Sequence, residues 1–342
     1  MTETQAGVAV APTFHRITVA EVIAETPDAH SLVLAVPPAL AGAFAYRPGQ
    51  YLTVRVPDGG GVVARCYSLS SSPDTDTDLK ITVKRVRDGR ASNWICDHVR
   101  PGSTLDLAPP AGSFIPASLD DDLLLLAGGS GITPVMAIIK SVLARGRGRL
   151  ALVYANRDAE SVIFGAELTA LRQQYGDRLV VTHWLDGERG APTGAALATL
   201  LRPHAGREAY VCGPDPFVVV ARQALQDAGV PADRVRVERF DLAAGDTAAG
   251  GRDATAEVTL DGQTHVLPWP AGTRLLDVII AAGLNPPFSC RQGQCGACAC
   301  RLLDGDVELV HNEVLEEEDF AEGYILACQA LPRSDTVSVS YY

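Results

Sequence analysis

The chain has 342 residues and a net charge of −12, with 47% hydrophobic and 20% charged residues. That length exceeds one ordinary core and suggests two or three domains, and the acidic balance excludes a nucleic-acid partner, whose phosphates demand clustered Lys and Arg. The longest unbroken aliphatic run, Leu123 to Ala127, falls far short of the roughly 20 residues of a membrane-spanning helix, and Met1 to Phe14 carries no Lys or Arg ahead of its apolar stretch, so a cytoplasmic protein away from membranes is expected.

Residues 1–12 form an N-terminal tail. Over residues 13–116, β-type runs at Ile17 to Ile23, Ser31 to Val36, Tyr51 to Val56 and Leu79 to Arg85 alternate with Pro, Gly and Asp turns, which predicts an antiparallel β-barrel. Residues 117–242 read as an α/β domain with a parallel sheet: strands at Leu123 to Ala127, Leu150 to Tyr154, Leu179 to His183 and Ala209 to Cys212 alternate with helices at Pro134 to Leu143, Glu167 to Gln174 and Pro216 to Ala228. Residues 243–254 are small and lack a periodic apolar face, as a linker does. In residues 255–342, strands at Glu257 to Leu260, Thr264 to Leu267 and Thr336 to Ser340 with a helix at Leu275 to Ala282 predict an α+β, β-grasp-like domain. This last domain holds 13 Asp or Glu against 4 Arg and no Lys, an acidic face suited to a basic protein partner.

Four of the eight cysteines crowd into residues 290–300. Cys290, Cys295 and Cys298 form C-x4-C-x2-C, and with Cys328 they give the plant-type [2Fe-2S] spacing. Four soft thiolates on one loop suit two irons, and Gly293 and Gly296 supply the backbone freedom to wrap them. A zinc site would pair two C-x2-C knuckles, and only one exists. Cys300 breaks the spacing and reads as a packed residue.

The loop Gly128-Gly-Ser-Gly-Ile-Thr-Pro134 joins a buried strand to a helix, where Gly128, Gly129 and Gly131 would admit a pyrophosphate to the helix N-terminus; it is not G-x-G-x-x-G. Cys212-Gly213-Pro214 ends a later strand at the ligand-collecting carboxyl edge of the same sheet. In Arg65-Cys-Tyr-Ser68, alternation puts Arg65 and Tyr67 on one face, which reads either as a solvated strand face or as a cation for phosphate and a ring for stacking, with the Ser68 hydroxyl at the ring edge. Gly89-Arg-Ala-Ser-Asn93 precedes a predicted helix at Asn93 to Val99, with Ser92 either at a phosphate or as an N-cap. Cys96-Asp-His98 is half of a Rieske motif without its partner, and no dense histidine cluster for mononuclear iron exists, so oxygen activation is expected in another protein.

Together and in this order, these motifs resemble the ferredoxin-NADP reductase superfamily fused to a plant-type ferredoxin, over Thr13 to Tyr342. More narrowly, Arg65 to Pro73, Val83-Lys-Arg85, Ala91-Ser-Asn-Trp94, His311 to Glu316 and Ile325 to Ala330 resemble the oxygenase reductases of 3-ketosteroid 9α-hydroxylation, with relatives in phenylacetyl-CoA epoxidation and aromatic-ring oxygenation. The resemblance implies FAD held by Arg65, Tyr67, Ser68, Thr82, Val83 and Lys84, its pyrophosphate by Gly89, Ala91 and Ser92, with FMN the alternative. It implies a nicotinamide nucleotide at Gly128, Gly129, Gly131, Thr133, Cys212, Gly213 and Pro214, and catalytic positions at Ser68, Cys212 and Glu238. Tyr154-Ala-Asn-Arg157 has no acid for a ribose and offers an Arg to a 2′-phosphate, which leaves NADH and NADPH both open; the resemblance implies NADH, with NADPH the alternative. The implied function is delivery of electrons to a terminal, Rieske-type oxygenase; a redox-sensing module is the competing class, distinguished by slow turnover with any acceptor.

Overall fold

The computed structural model describes residues 13–58, 61–240, 252–284, 286–288, 291, 293, 296–312 and 314–341. The chain divides into two compact units, one from Phe14 to Asp241 and the other containing Leu242 to Tyr342. Most of the expected linker therefore lies outside the described residues, as do Cys290 and Cys295.

The first unit begins with strands β1 (His15–Thr26), β2 (Ala29–Ala35), β3 (Tyr51–Asp58), β4 (Gly61–Ser68) and β5 (Leu79–Lys84), then helix α1 (Arg90–His98) and β6 (Thr104–Leu107). They form an antiparallel sheet in the order β4-β3-β6-β1-β2-β5. A bridge between Leu69 and Ile81 joins the two edges into a barrel, which removes the unpaired edge an open sheet would present. Alternate residues, among them Ile17, Val19, Leu32, Leu34, Leu52, Val54, Ile81, Val83, Leu105 and Leu107, fill its interior. Helix α1 starts at Arg90, three residues before the expected position, so Ser92 lies within its first turn and is not the N-cap. The cap is Gly89, which provides no side-chain bond.

The same unit continues through β7 (Leu123–Gly128), α2 (Ile132–Arg145), β8 (Leu150–Asn156), α3 (Gly165–Tyr175), β9 (Leu179–Leu185), α4 (Asp186–Arg189), α5 (Gly194–Leu201), β10 (Glu208–Gly213), α6 (Asp215–Asp227) and β11 (Val235–Arg239). Five parallel strands lie in the order β11-β10-β7-β8-β9. Strand β7 is buried along its length because both faces are covered. Leu123 and Leu125 pack into the core shared with α2 and α3, while Leu124 and Leu126 pack into the one shared with α5 and α6. At roughly 2 kcal/mol per buried leucine, this run fixes the sheet. The chain order reverses between β7 and β10, and there the carboxyl ends of both strands open a crevice.

The second unit comprises β12 (Ala254–Leu260), β13 (Gln263–Trp269), α7 (Leu275–Ala281), β14 (Ala299–Asp304), β15 (Val307–Leu309), α8 (Glu317–Ala321), β16 (Tyr324–Leu326), β17 (Ala330–Pro332) and β18 (Thr336–Tyr341). A mixed sheet, β13-β12-β18-β14-β16, closes over Leu275, Leu276 and Ile279 of α7. Three expected architectures, antiparallel barrel, parallel α/β layer and α+β domain, are thus present. No helix among the described residues is long and apolar enough to cross a membrane.

Candidate redox centre

Three residues far apart in sequence meet at the switch point. Register sets Cys212 opposite Ala127 of β7 on one side and Glu238 of β11 on the other. Ser68, the last residue of β4, donates its hydroxyl to Glu238 Oε2 at 3.1 Å, and Cys212 Sγ lies 4.0 Å from the same oxygen. All three are buried. Burial pushes the Glu238 carboxyl up to about 8, against the smaller lowering effect of the Ser68 bond, so at neutral pH it holds a proton. Burial first, and the nearby Glu238 second, raise the Cys212 thiol well above its usual range. The thiol is therefore neutral and no nucleophile.

The glycines here serve close packing as much as ligand access. A Cβ on Gly131 would fall 2.0 Å from Cys212 O, and one on Gly128 or Gly213 would lie 2.8 Å from Phe217. Gly129 adopts φ +52° and faces an open space in which Lys84 Nζ is the nearest group, at 3.8 Å from its would-be Cβ. Thr133 is turned inward, its hydroxyl donating to Ser130 O at 3.0 Å, and Pro214 leads into α6. The glycine turn, Lys84 and the buried trio form one crevice edge, and no side chain caps the start of α2 there.

On the barrel side, Arg65 is exposed and Tyr67 partly covered on the expected shared face of β4. Burial raises the Tyr67 phenol, with Arg65 opposing, so the ring stays neutral. The Thr82 hydroxyl is engaged by Ser31 and Ser70 at 2.7 and 2.8 Å, and the Val83 side chain lies in the barrel core; along β5 these two residues offer a cofactor their backbone. Gly89 has no room for a Cβ, which would sit 2.5 Å from Ser92 Oγ. Ser92 Oγ accepts from Val86 N–H at 3.3 Å and Ala91 is buried.

In the second unit, Cys298 and Cys328 are buried side by side. Cys328 N–H donates to Cys298 Sγ at 3.5 Å, and Gln329 Nε2 donates to Cys328 Sγ at 3.5 Å and to Arg291 O at 2.8 Å. Gly293 at φ +77° and Gly296 at φ +67° give the left-handed turns expected of the loop. Buried sulfurs receiving amide hydrogens suit anionic thiolates on an iron-sulfur cluster. Cys300 is fully buried, and burial raises its thiol to about 12, as befits a packed residue.

Family models match the whole order of domains: an oxidoreductase FAD-binding domain over residues 16–115, an oxidoreductase NAD-binding domain over 125–223 and a 2Fe-2S iron-sulfur cluster binding domain over 258–333. The ferredoxin reductase component of 3-ketosteroid-9-alpha-monooxygenase from Mycolicibacterium smegmatis is 52% identical over 337 residues, covering 94% of this chain and 96% of the relative. The chain belongs to the family of monooxygenase ferredoxin-reductase components. A component of the 1,2-phenylacetyl-CoA epoxidase of Escherichia coli is 33% identical, covering 96% of this chain and 98% of its own. The solved structure of phthalate dioxygenase reductase shares the fold with a TM-score of 0.61 at 24% identity, covering 96% of this chain and 98% of that one.

This reductase is an oxidoreductase with FAD, NAD and [2Fe-2S] domains, as the motifs predict. Two features escape motif reading. Asp28, in the β1–β2 turn, binds Arg157 Nη2 at 3.2 Å and faces Lys84 Nζ at 3.9 Å, so Arg157 has a carboxylate partner where a 2′-phosphate would compete for it. Gln329 reaches a candidate ligand sulfur, and its adjacency to Cys328 was the one available signal.

Proposed function

We propose that this reductase carries electrons from NADH through FAD and the [2Fe-2S] cluster to the terminal, Rieske-type oxygenase of a 3-ketosteroid 9α-hydroxylation system. The carrying observation is the buried Ser68–Glu238–Cys212 contact, which joins the end of a barrel strand to the switch point of the nucleotide sheet. FAD bound by the barrel residues would supply the conversion of a two-electron hydride donor into single-electron delivery, which a [2Fe-2S] cluster held by the cysteine loop would require.

The protein's own groups position and neutralise. Ser68 and Cys212 converge on one oxygen of a protonated Glu238, which keeps charge out of the crevice and stores a proton beside the reacting edge. Arg65 offers a cation to a cofactor phosphate, Tyr67 a neutral ring, and Gly89, Ala91 and Ser92 the α1 amides. Gly128, Gly129, Gly131 and Thr133 shape the nucleotide loop, and Gly213 and Pro214 its facing wall. Cys290, Cys295, Cys298 and Cys328 hold the irons. The proposed domain limits are 13–116, 117–242 and 255–342, joined through 243–254. A cytoplasmic setting suits a thiol-ligated cluster fed by NADH.

The steroid assignment rests on 52% identity against 33% for the epoxidase component. Anaerobic visible and EPR spectra with NADH, then NADPH, test the path: flavin bleaching with a rhombic reduced [2Fe-2S] signal supports it, and a protein indifferent to both nucleotides refutes it. Reconstitution with a 3-ketosteroid oxygenase component, against a phenylacetyl-CoA epoxidase, tests the partner.

A further inference from the structure

Lys140 lies in α2, whose start is the glycine loop, and its side chain is only 5% exposed, a rare burial for a lysine. Its Nζ sits 2.9 Å from Asp76 Oδ2 and 3.3 Å from Glu167 Oε1. Asp76 belongs to the barrel segment between β4 and β5, and Glu167 to α3. Asp76 Oδ2 also accepts from Ser72 N–H at 2.7 Å. Burial alone would raise this carboxyl, but the Ser72 amide and Lys140 outweigh it and hold it below its ordinary value.

The next residue extends the same seam. Ser141 Oγ and Ser72 Oγ are 2.7 Å apart, both fully buried. Lys80 Nζ approaches Glu167 Oε2 at 4.0 Å, and Arg145 meets Asp74 at 3.6 Å on the rim. Ser71 Oγ, within the segment, lies 2.7 Å from Tyr46 OH and accepts from Lys80 N–H at 2.9 Å, so the segment is itself tied to the barrel.

Apolar contact across this seam would join the two layers at least as strongly, because desolvating a buried ion pair offsets most of its attraction. Directional, charge-assisted bonds add a fixed register that an oily contact lacks. The register matters because of chain order. Ser70 to Ser72 follow Ser68 with only Leu69 between, and α2 follows Gly128 to Gly131 directly, so sliding α2 against this segment moves the two halves of the redox centre apart. Misplacement by 1 Å can cost about a hundredfold in rate.

We infer that Lys140 is a positioning residue for hydride transfer, locking α2 to the Ser70–Lys80 segment so that the nucleotide loop and the flavin edge meet in register. This rests on the function proposed above. The test uses the full-length, cofactor-loaded protein. In stopped-flow measurements, Lys140→Met is expected to lower the limiting rate of flavin reduction by NADH at least about tenfold, with nucleotide Kd changed less than about threefold; Lys140→Arg should recover much of the loss. Hydrogen exchange should quicken at Ser70–Lys80 and in α2. Ser141→Ala, which strands no charge, provides a second lesion should the first fail to fold, with about a threefold loss expected. Wild-type rates in the folded variants, or a loss confined to Kd, would overturn the inference. Absence of flavin reduction in the wild type would instead overturn the underlying function.

Discussion

The two candidate centres are built on opposite plans. At the switch point, Ser68, Cys212 and Glu238 come from three strands and meet only because the barrel end abuts a parallel sheet whose register places Cys212 beside Glu238. In the cysteine loop, the ligand candidates are close in sequence save Cys328, and left-handed glycines with one buried glutamine shape their surroundings. The first centre is a product of tertiary register and tolerates small lesions poorly in geometry but well in chemistry. The second is a product of local ligand identity, for which no neighbour can substitute.

The sharpest way to break this contrast is Cys328→Ser, which is expected to abolish the [2Fe-2S] EPR signal and delivery of electrons to a one-electron acceptor while flavin reduction by NADH persists. Parallel loss of flavin reduction would show that the two centres do not fail independently. Next in size is Gly131→Ala. Its Cβ would meet a backbone oxygen at 2.0 Å, so we expect about 3 kcal/mol of destabilisation in denaturant unfolding of the Phe14–Asp241 unit, with the cluster spectrum unchanged.

Glu238→Gln addresses the buried proton. The folded carboxyl titrates near 8 rather than at its ordinary 4.5, so the native state binds a proton that the unfolded chain has released between those values. Its contribution to stability is complete below about pH 4.5 and is lost as pH rises through about 8, on the order of 1 kcal/mol per pH unit in between. Wild-type Tm should therefore fall more steeply from pH 6 to 9 than that of Glu238→Gln; parallel curves would remove the protonated-carboxyl account. The smallest effect expected is in donor choice. Asp28→Asn frees Arg157 and Lys84, and the ratio of kcat/KM for NADPH to that for NADH should rise about fivefold, in keeping with a partly exposed ion pair.

Much of this was legible beforehand because local chemistry determines it. The C-x4-C-x2-C spacing points to an iron-sulfur loop by itself, whereas the apolar strand Leu123 to Ala127 entering Gly128-Gly-Ser-Gly131 and the Arg65-Cys-Tyr-Ser68 strand end point to a nucleotide and a flavin only through their joint occurrence and order. Helix α1 starts ahead of its expected position because Arg90, Ala91 and Ser92 have no capping side chain before them, and Gly89 acts through its lack of a Cβ. Strand β6 and helix α5 were missed for a related reason: four residues between turns, or a short run of Ala and Leu, carry too little periodicity to stand out.

By itself, then, the sequence determined the order of the three domains and named candidate cluster ligands, since ligand spacing, glycine freedom and buried strand composition are local properties, and the resemblance its motifs carry pointed to the cofactor types. Only the tertiary structure decided that Ser68 and Cys212 share one oxygen of Glu238, that Asp28 engages Arg157, and that Lys140 is buried between Asp76 and Glu167. Those pairings depend on the register between strands and on the packing of a barrel against a parallel sheet, which bring together residues up to 170 positions apart and give each carboxylate its partner and its desolvation.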